Sequence, residues 1–190
     1  MPMWPCGKRL FHYLQNSVLV SSISALVSLP IAILAAYALT RHRVAGGSLF
    51  LRVVLATQAF PGVLFLLPLF VIYVSLQNAL GIPMDGTYFG LIITYLTFAL
   101  PFSIWMLTGY LAAIPQDIGE AAMVDGAGKL HAFMVTTLRV AIPSVMAVGV
   151  FTFMTAWGEV LFASVLTDSA TRTLPIGLQL YDSDKGLVIY

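Results

Sequence analysis

From residue 16 to residue 39 the chain carries no charged side chain. Coiled as an α-helix at about 1.5 Å per residue, that run is about 36 Å long, against a hydrocarbon core of about 30 Å. Such a stretch leaves few options. In lipid every backbone N–H and C=O must find its partner within the chain, and a helix achieves this by itself. Further apolar runs follow over 49–74, 87–113 and 142–166. The chain is 59% hydrophobic and 9% charged, where soluble domains carry about 25% charge. The fold expected is therefore an all-α membrane protein of about four transmembrane helices, one domain over 1–190, with a more polar stretch over about 115–141. A cleaved signal peptide is the rival reading of the first run, because Lys8 and Arg9 precede it and Ala36-Tyr37-Ala38 resembles a cleavage site.

Details within the runs add expectations. Ser24, Ser28, Ala32 and Ala36 recur every fourth residue and would form one small-residue face for close helix packing. Pro30, Pro61, Pro68 and Pro101 predict kinks that neighbouring helices must compensate. Gly86 and Gly90 make a GxxxG at the mouth of the third run. Glu159 is an acid inside a predicted span, either lining a translocation path or a helix contact, or reaching out to the membrane surface. Trp157 reads as an interfacial aromatic or as a neighbour of that path. Residues 1–13 read as a short leader and 167–190 as a polar tail. A single cysteine, Cys6, excludes an internal disulfide.

The stretch over 115–143 holds Asp117, Glu120, Asp125, Lys129, His131 and Arg139 between two apolar runs. Asp117 with Glu120 three residues on reads as a capping box, Gly126-Ala127-Gly128 as a helix stop. Leu130, Phe133, Met134, Thr137 and Leu138 then recur at helical spacing and predict a second short helix with one apolar face. Helix, glycine turn, helix at a membrane surface is the local expectation. Counting Lys and Arg in alternate loops (Arg41, Arg43 and Arg52 after the first span, none after the second, Lys129 and Arg139 after the third) puts this stretch on the cytoplasmic side.

Glu120-Ala121-Ala122, Asp125-Gly126-Ala127, Phe133 and Pro143 resemble the EAA loop of permease subunits in binding-protein-dependent ABC importers, closest to the sugar importers of the maltose and glycerol-phosphate type. The resemblance extends over Tyr13, Asn16 and Ser17, over Ala36-Tyr37-Ala38 with Arg41, and over Trp157-Gly158-Glu159 and Leu174-Pro175-Ile176-Gly177. It implies a cytoplasmic-membrane protein of a bacterium or archaeon whose loop, through Glu120, Ala121, Ala122, Asp125, Gly126, Ala127 and Phe133, docks on an ATP-binding subunit present as a dimer. A second permease subunit and an extracytoplasmic substrate-binding protein are the other implied partners, and a carbohydrate or related polyol is the implied cargo. The family usually has a proline four residues before the position of Pro143, where this chain has Arg139, so the end of the second loop helix stays open. Such subunits usually have six spans. The four seen here imply a chain lacking a span at each end, and the alternative function is then a non-transporting remnant.

The chain shows no energy source of its own. A P-loop needs GxxxxGK[ST], whose amides cradle phosphates, whereas Gly128-Lys129 is followed by Leu130. HExxH and GxSxG are absent, and His12, His42 and His131 lie far apart in sequence. The expectation is a transport subunit, not an enzyme, without cofactor or metal. A secondary transporter or membrane enzyme is the weaker rival.

Overall fold

The structure, a computed structural model, describes residues 6–41 and 44–186. Its described residues are helical without strands: α1 (Cys6–Arg41), α2 (Gly47–Gln58), α3 (Val63–Leu80), α4 (Tyr88–Ala113), α5 (Asp117–Val124), α6 (Lys129–Ala132), a π-turn (Phe133–Thr137), α7 (Leu138–Trp157), α8 (Leu161–Leu166) and α9 (Leu174–Gly186). Three runs, Arg9–Arg41, Tyr88–Ala113 and Lys129–Trp157, are long and apolar enough to cross a membrane, and α2 with α3 makes a fourth if the pair counts as one. Lys8 has no described side chain, and Arg43 and His42 lie outside the described residues.

The helical bounds differ from those expected in four places, each for a physical reason. Helix α1 begins at Cys6, so residues 6–13 are not an unstructured leader. The run over 49–74 is broken between Gln58 and Val63, where Pro61 has no N–H to give the ladder and Gly62 follows it. The helix expected over 142–166 starts earlier, at Lys129, passes through the π-turn and stops at Trp157. Arg139, unlike a proline, keeps its N–H in the ladder, which lets the helix continue. Finally, the expected polar tail contains α9.

The chain forms two compact units. One is built from residues 1–25, 60–99 and 152–190. Its core has two clusters: Val20, Leu91, Tyr95, Ala156, Ala163 and Ile176 in one, and Tyr73, Met84, Phe162 and Leu166 in the other. Phe98 and Phe162 have ring centroids 4.6 Å apart. Gly86 has φ +68°, and a Cβ on Gly90 would collide with the Met84 carbonyl. The two glycines thus serve a turn folding back on α4, and the helix-pairing motif read from the sequence is not formed. A Cβ on Gly177 would overlap the Tyr13 ring, so only glycine lets α9 seat against α1 here.

The other unit holds residues 26–59 and 100–151. Ala32 and Ala36 of α1 are buried against Ile104, Leu107, Leu111, Phe133, Ala141 and Val148. Ser24, Ser28, Ala32 and Ala36 are all fully buried, so the four-residue periodicity does mark an inward face of α1. Lipid tails are as apolar as leucine, so burial alone does not drive helices together in a bilayer. Small residues allow close backbone approach and the dispersion contacts that come with it. Phe102 stacks on Phe151 at 4.3 Å.

Candidate functional site

Helices α5 and α6 with the intervening turn make a hairpin. Its turn is closed by the backbone alone. Gly126 N–H donates to Met123 O (3.1 Å) and Ala127 N–H to Ala122 O (3.0 Å), with Gly126 at φ +90°. That pairing is a Schellman motif, in which a left-handed residue satisfies the last carbonyls of a helix. Glycine carries it because a Cβ is unfavourable at that φ.

The capping box is not formed. Helix α5 is preceded by Gln116, itself in the right-handed region and without a side-chain cap. Asp117 is therefore the first helical residue rather than the cap, and Gly119 and Glu120 N–H donate to the Gln116 carbonyl instead. Asp117 and Glu120 stay in the first turn, where negative charge suits the helix dipole. The second expected apolar face also differs. Phe133 and Thr137 are buried and Leu138 half-buried, whereas Leu130 and Met134 are exposed. The π-turn over Phe133–Thr137 adds a residue to the turn and rotates the periodicity read from the sequence.

Among the loop residues singled out, Phe133 points inward, its ring 4.1 Å from Tyr37. Ala122 and Ala127 are half-buried, and Glu120, Ala121, Asp125 and Gly126 are exposed. Val124 at the hairpin tip is 87% exposed. Under the hairpin lies a cavity of about 210 Å3, lined among others by Tyr37, Arg41, Gln116, Glu120, Lys129 and Phe133. Arg41 Nη2 donates to Ile114 O (3.1 Å), and the Tyr37 hydroxyl lies 3.5 Å from Lys129 O.

Glu159 and Trp157 belong to the other unit. Glu159 sits in the break after Trp157, where its carboxylate accepts from the N–H groups of Phe162 (3.0 Å) and Ala163 (3.1 Å). An acid at the start of α8 thus satisfies backbone donors that would otherwise be orphaned. Trp157 stacks with Phe153, centroids 5.7 Å apart.

A polar knot in that same unit escaped the sequence reading. Buried Asn16 donates through Nδ2 to the carbonyls of Ala170 and Arg172 (both 2.9 Å), and accepts from the Tyr88 hydroxyl (2.8 Å). Ser17 Oγ accepts from Leu174 N–H (2.8 Å). Asp168 folds the turn locally, accepting from Ala170 N–H, Thr171 N–H and the Thr171 hydroxyl. Those N–H groups hold its carboxyl below the ordinary carboxylate value.

Residues 28–189 match the family described as binding-protein-dependent transport system inner membrane component. The chain belongs to that family. The chain is 40% identical over 167 residues to the inner membrane ABC transporter permease protein YcjP of Escherichia coli, covering 87% of this chain and 58% of that one. It is 36% identical to the sulfoquinovosyl glycerol transport system permease protein SmoH of Agrobacterium fabrum, covering 92% and 60%. It is 33% identical to the trehalose/maltose transport system permease protein MalG of Thermococcus litoralis, covering 92% and 61%. The chain thus spans about three fifths of the length of these relatives. Its fold is shared with a chain of a bacterial ABC transporter involved in the import of the acidic polysaccharide alginate, at TM-score 0.75 and 20% identity, over 93% of this chain and 59% of that one.

Proposed function

We propose that this permease is the membrane subunit of an ABC importer that moves a carbohydrate or related polyol across the cytoplasmic membrane. ATP hydrolysis takes place on a separate ATP-binding subunit, and the hairpin over Asp117–Val124 and Lys129–Ala132 is the element on which that subunit docks. A second permease and an extracytoplasmic binding protein complete the assembly. The spans of the permease correspond to α1, to α2 with α3, to α4, and to the run from Lys129 to Trp157.

The observation that carries the reading is the hairpin itself. Its turn is fixed by its own backbone bonds while Ile118, Met123, Val124, Leu130 and Met134 stay exposed. A stiff element with an apolar outer surface transmits a pull without first being ordered, and it has apolar area to bury on a partner. Phe133, packed on Tyr37 in the core of its unit, ties the hairpin to α1. The sugars and the sugar glycoside named for SmoH and MalG support the substrate class.

The test is co-expression with the neighbouring ATPase and permease genes and capture on a tag carried by this chain. The wild type should retain the ATPase, and Glu120→Lys and Gly126→Asp should each lose it while still inserting in the membrane. Recovery of the ATPase with both variants at wild-type yield contradicts the docking role. Absence of the ATPase from the wild type as well favours the non-transporting alternative.

A further inference from the structure

Four buried hydroxyls, those of Ser21, Ser24, Tyr95 and Thr173, have no hydrogen-bond partner in the protein. All four belong to the unit of residues 1–25, 60–99 and 152–190. The packing of that unit brings them to one neighbourhood. Ser17, Ser21 and Ser24 follow one another at helical spacing on the buried face of α1, and Val20 of that face packs with Tyr95, Ala156 and Ile176. The bond from Leu174 N–H to Ser17 Oγ ties the segment carrying Thr173 to α1 one turn from Ser21. The Tyr95 hydroxyl lies in the field of the Glu159 carboxylate without being bonded to it. That carboxylate receives three N–H contacts, two from Phe162 and one from Ala163. A carboxylate offers about four acceptor positions, so one remains.

We propose that this unit holds a cluster of buried water bridging the hydroxyls of Ser21, Ser24, Tyr95 and Thr173, with Glu159 as a further acceptor. A hydroxyl buried without a partner is costly, and native interiors seldom keep several together. Water both donates and accepts, and a buried molecule typically makes about three bonds. A few molecules therefore satisfy all four hydroxyls and the remaining carboxylate position. The serines have a second way out, since each can turn to a carbonyl of its own helix four residues back. Tyr95 has no such escape, because its hydroxyl stands at the far end of a ring, away from the α4 backbone. Tyr73 in the same unit shows the alternative. It is as buried as Tyr95, both 4% exposed, yet its hydroxyl donates to Gly90 O (3.2 Å) and pairs with the Thr94 hydroxyl (2.8 Å). The inference concerns this unit alone, and neither the hairpin nor the cargo enters it.

The experiment is X-ray footprinting of the full chain in phosphatidylcholine nanodiscs, with mass spectrometry locating the oxidised residues. The radicals form from water, so a buried side chain is oxidised where it touches a bound molecule. Tyr95 should be oxidised several-fold faster than Tyr73. Ser24→Ala and Thr173→Val, the second nearly isosteric, should each slow the oxidation of Tyr95, and the double variant should bring it close to the rate of Tyr73. A merely structural role predicts the opposite, because a loosened core admits water and speeds the reaction. Circular dichroism should show each variant still helical. Should the double variant fail to insert, Tyr95→Phe keeps the question open to test. It should lower the unfolding temperature in detergent, whereas loss of a hydroxyl without a partner leaves that temperature unchanged or raises it, which overturns the proposal. Equal rates at Tyr95 and Tyr73 in the wild type overturn it as well. So does fast oxidation of Tyr95 that the double variant leaves untouched, since the water is then not shared with Ser24 and Thr173.

Discussion

Two turns in this chain are anchored differently. The turn of the hairpin, residues 125–128, is closed by backbone bonds from its own helix and by a glycine in the left-handed region. The turn between α8 and α9 has local bonds to Asp168 and is anchored, in addition, by residues from far along the chain. Asn16 reaches Ala170 across 154 positions, and Ser17 reaches Leu174 across 157. The first turn keeps its shape with its outer side chains free for another molecule. The second commits its polar groups to the interior of its own unit. A moving contact is better served by the first design, because docking need not disturb any long-range network.

Several substitutions would break or sharpen that contrast. The largest effect is expected from Gly177→Leu, where the new side chain must displace the Tyr13 ring from a packed site. Overpacking of this kind costs about 3 kcal/mol, so thermal unfolding in detergent should show a marked loss of stability. Asn16→Leu comes next. It takes the amide donor from the Arg172 carbonyl and the acceptor from the Tyr88 hydroxyl, while Ala170 O keeps His12 Nε2 (3.0 Å), at about 2 kcal/mol, read by the same measurement and by faster proteolysis in the 167–173 loop. Gly126→Ala has no neighbour within 4 Å to strike, so its effect is backbone strain alone, about 1 kcal/mol. That variant should loosen the hairpin in hydrogen exchange and leave the 167–173 loop unchanged. If it destabilises both turns equally, they are not independent.

The smallest effect is on the pH dependence of the second turn. Asp168 has a folded pKa below its ordinary value of 3.8. Its contribution is therefore complete at pH values above about 4 and is lost as pH falls through the lowered folded value. The stability difference between wild type and Asp168→Asn should be flat near neutrality and shrink in acid. Because Asp168 is exposed, the change should be slight.

The contrast also explains what the sequence could reveal. The hairpin turn is a local matter, so Gly126-Ala127-Gly128 announces it. The small-residue face of α1 is legible for the same reason, since Ser24, Ser28, Ala32 and Ala36 repeat within one helix. The knot around Asn16 depends on which distant loop arrives there, and no pattern near Asn16 carries that information. Glu159 looks like an isolated charge in an apolar run because the break at Gly158 is not marked by a proline. Only the backbone shows that its carboxylate faces the N–H groups of α8. Leu130 and Met134 share the predicted apolar face but are exposed, and the π-turn that begins at Phe133 leaves no signature in residue spacing.

The most direct test of the central claim is disulfide or maleimide cross-linking from single cysteines in a Cys6→Ser background, with the ATPase subunit co-expressed. Val124→Cys, at the exposed hairpin tip, should cross-link to the ATPase in high yield, while Ser169→Cys, exposed on the second turn, should give none. Cross-linking from Ser169→Cys, or none from Val124→Cys in a complex that still co-purifies, would show that the ATPase does not dock on the hairpin.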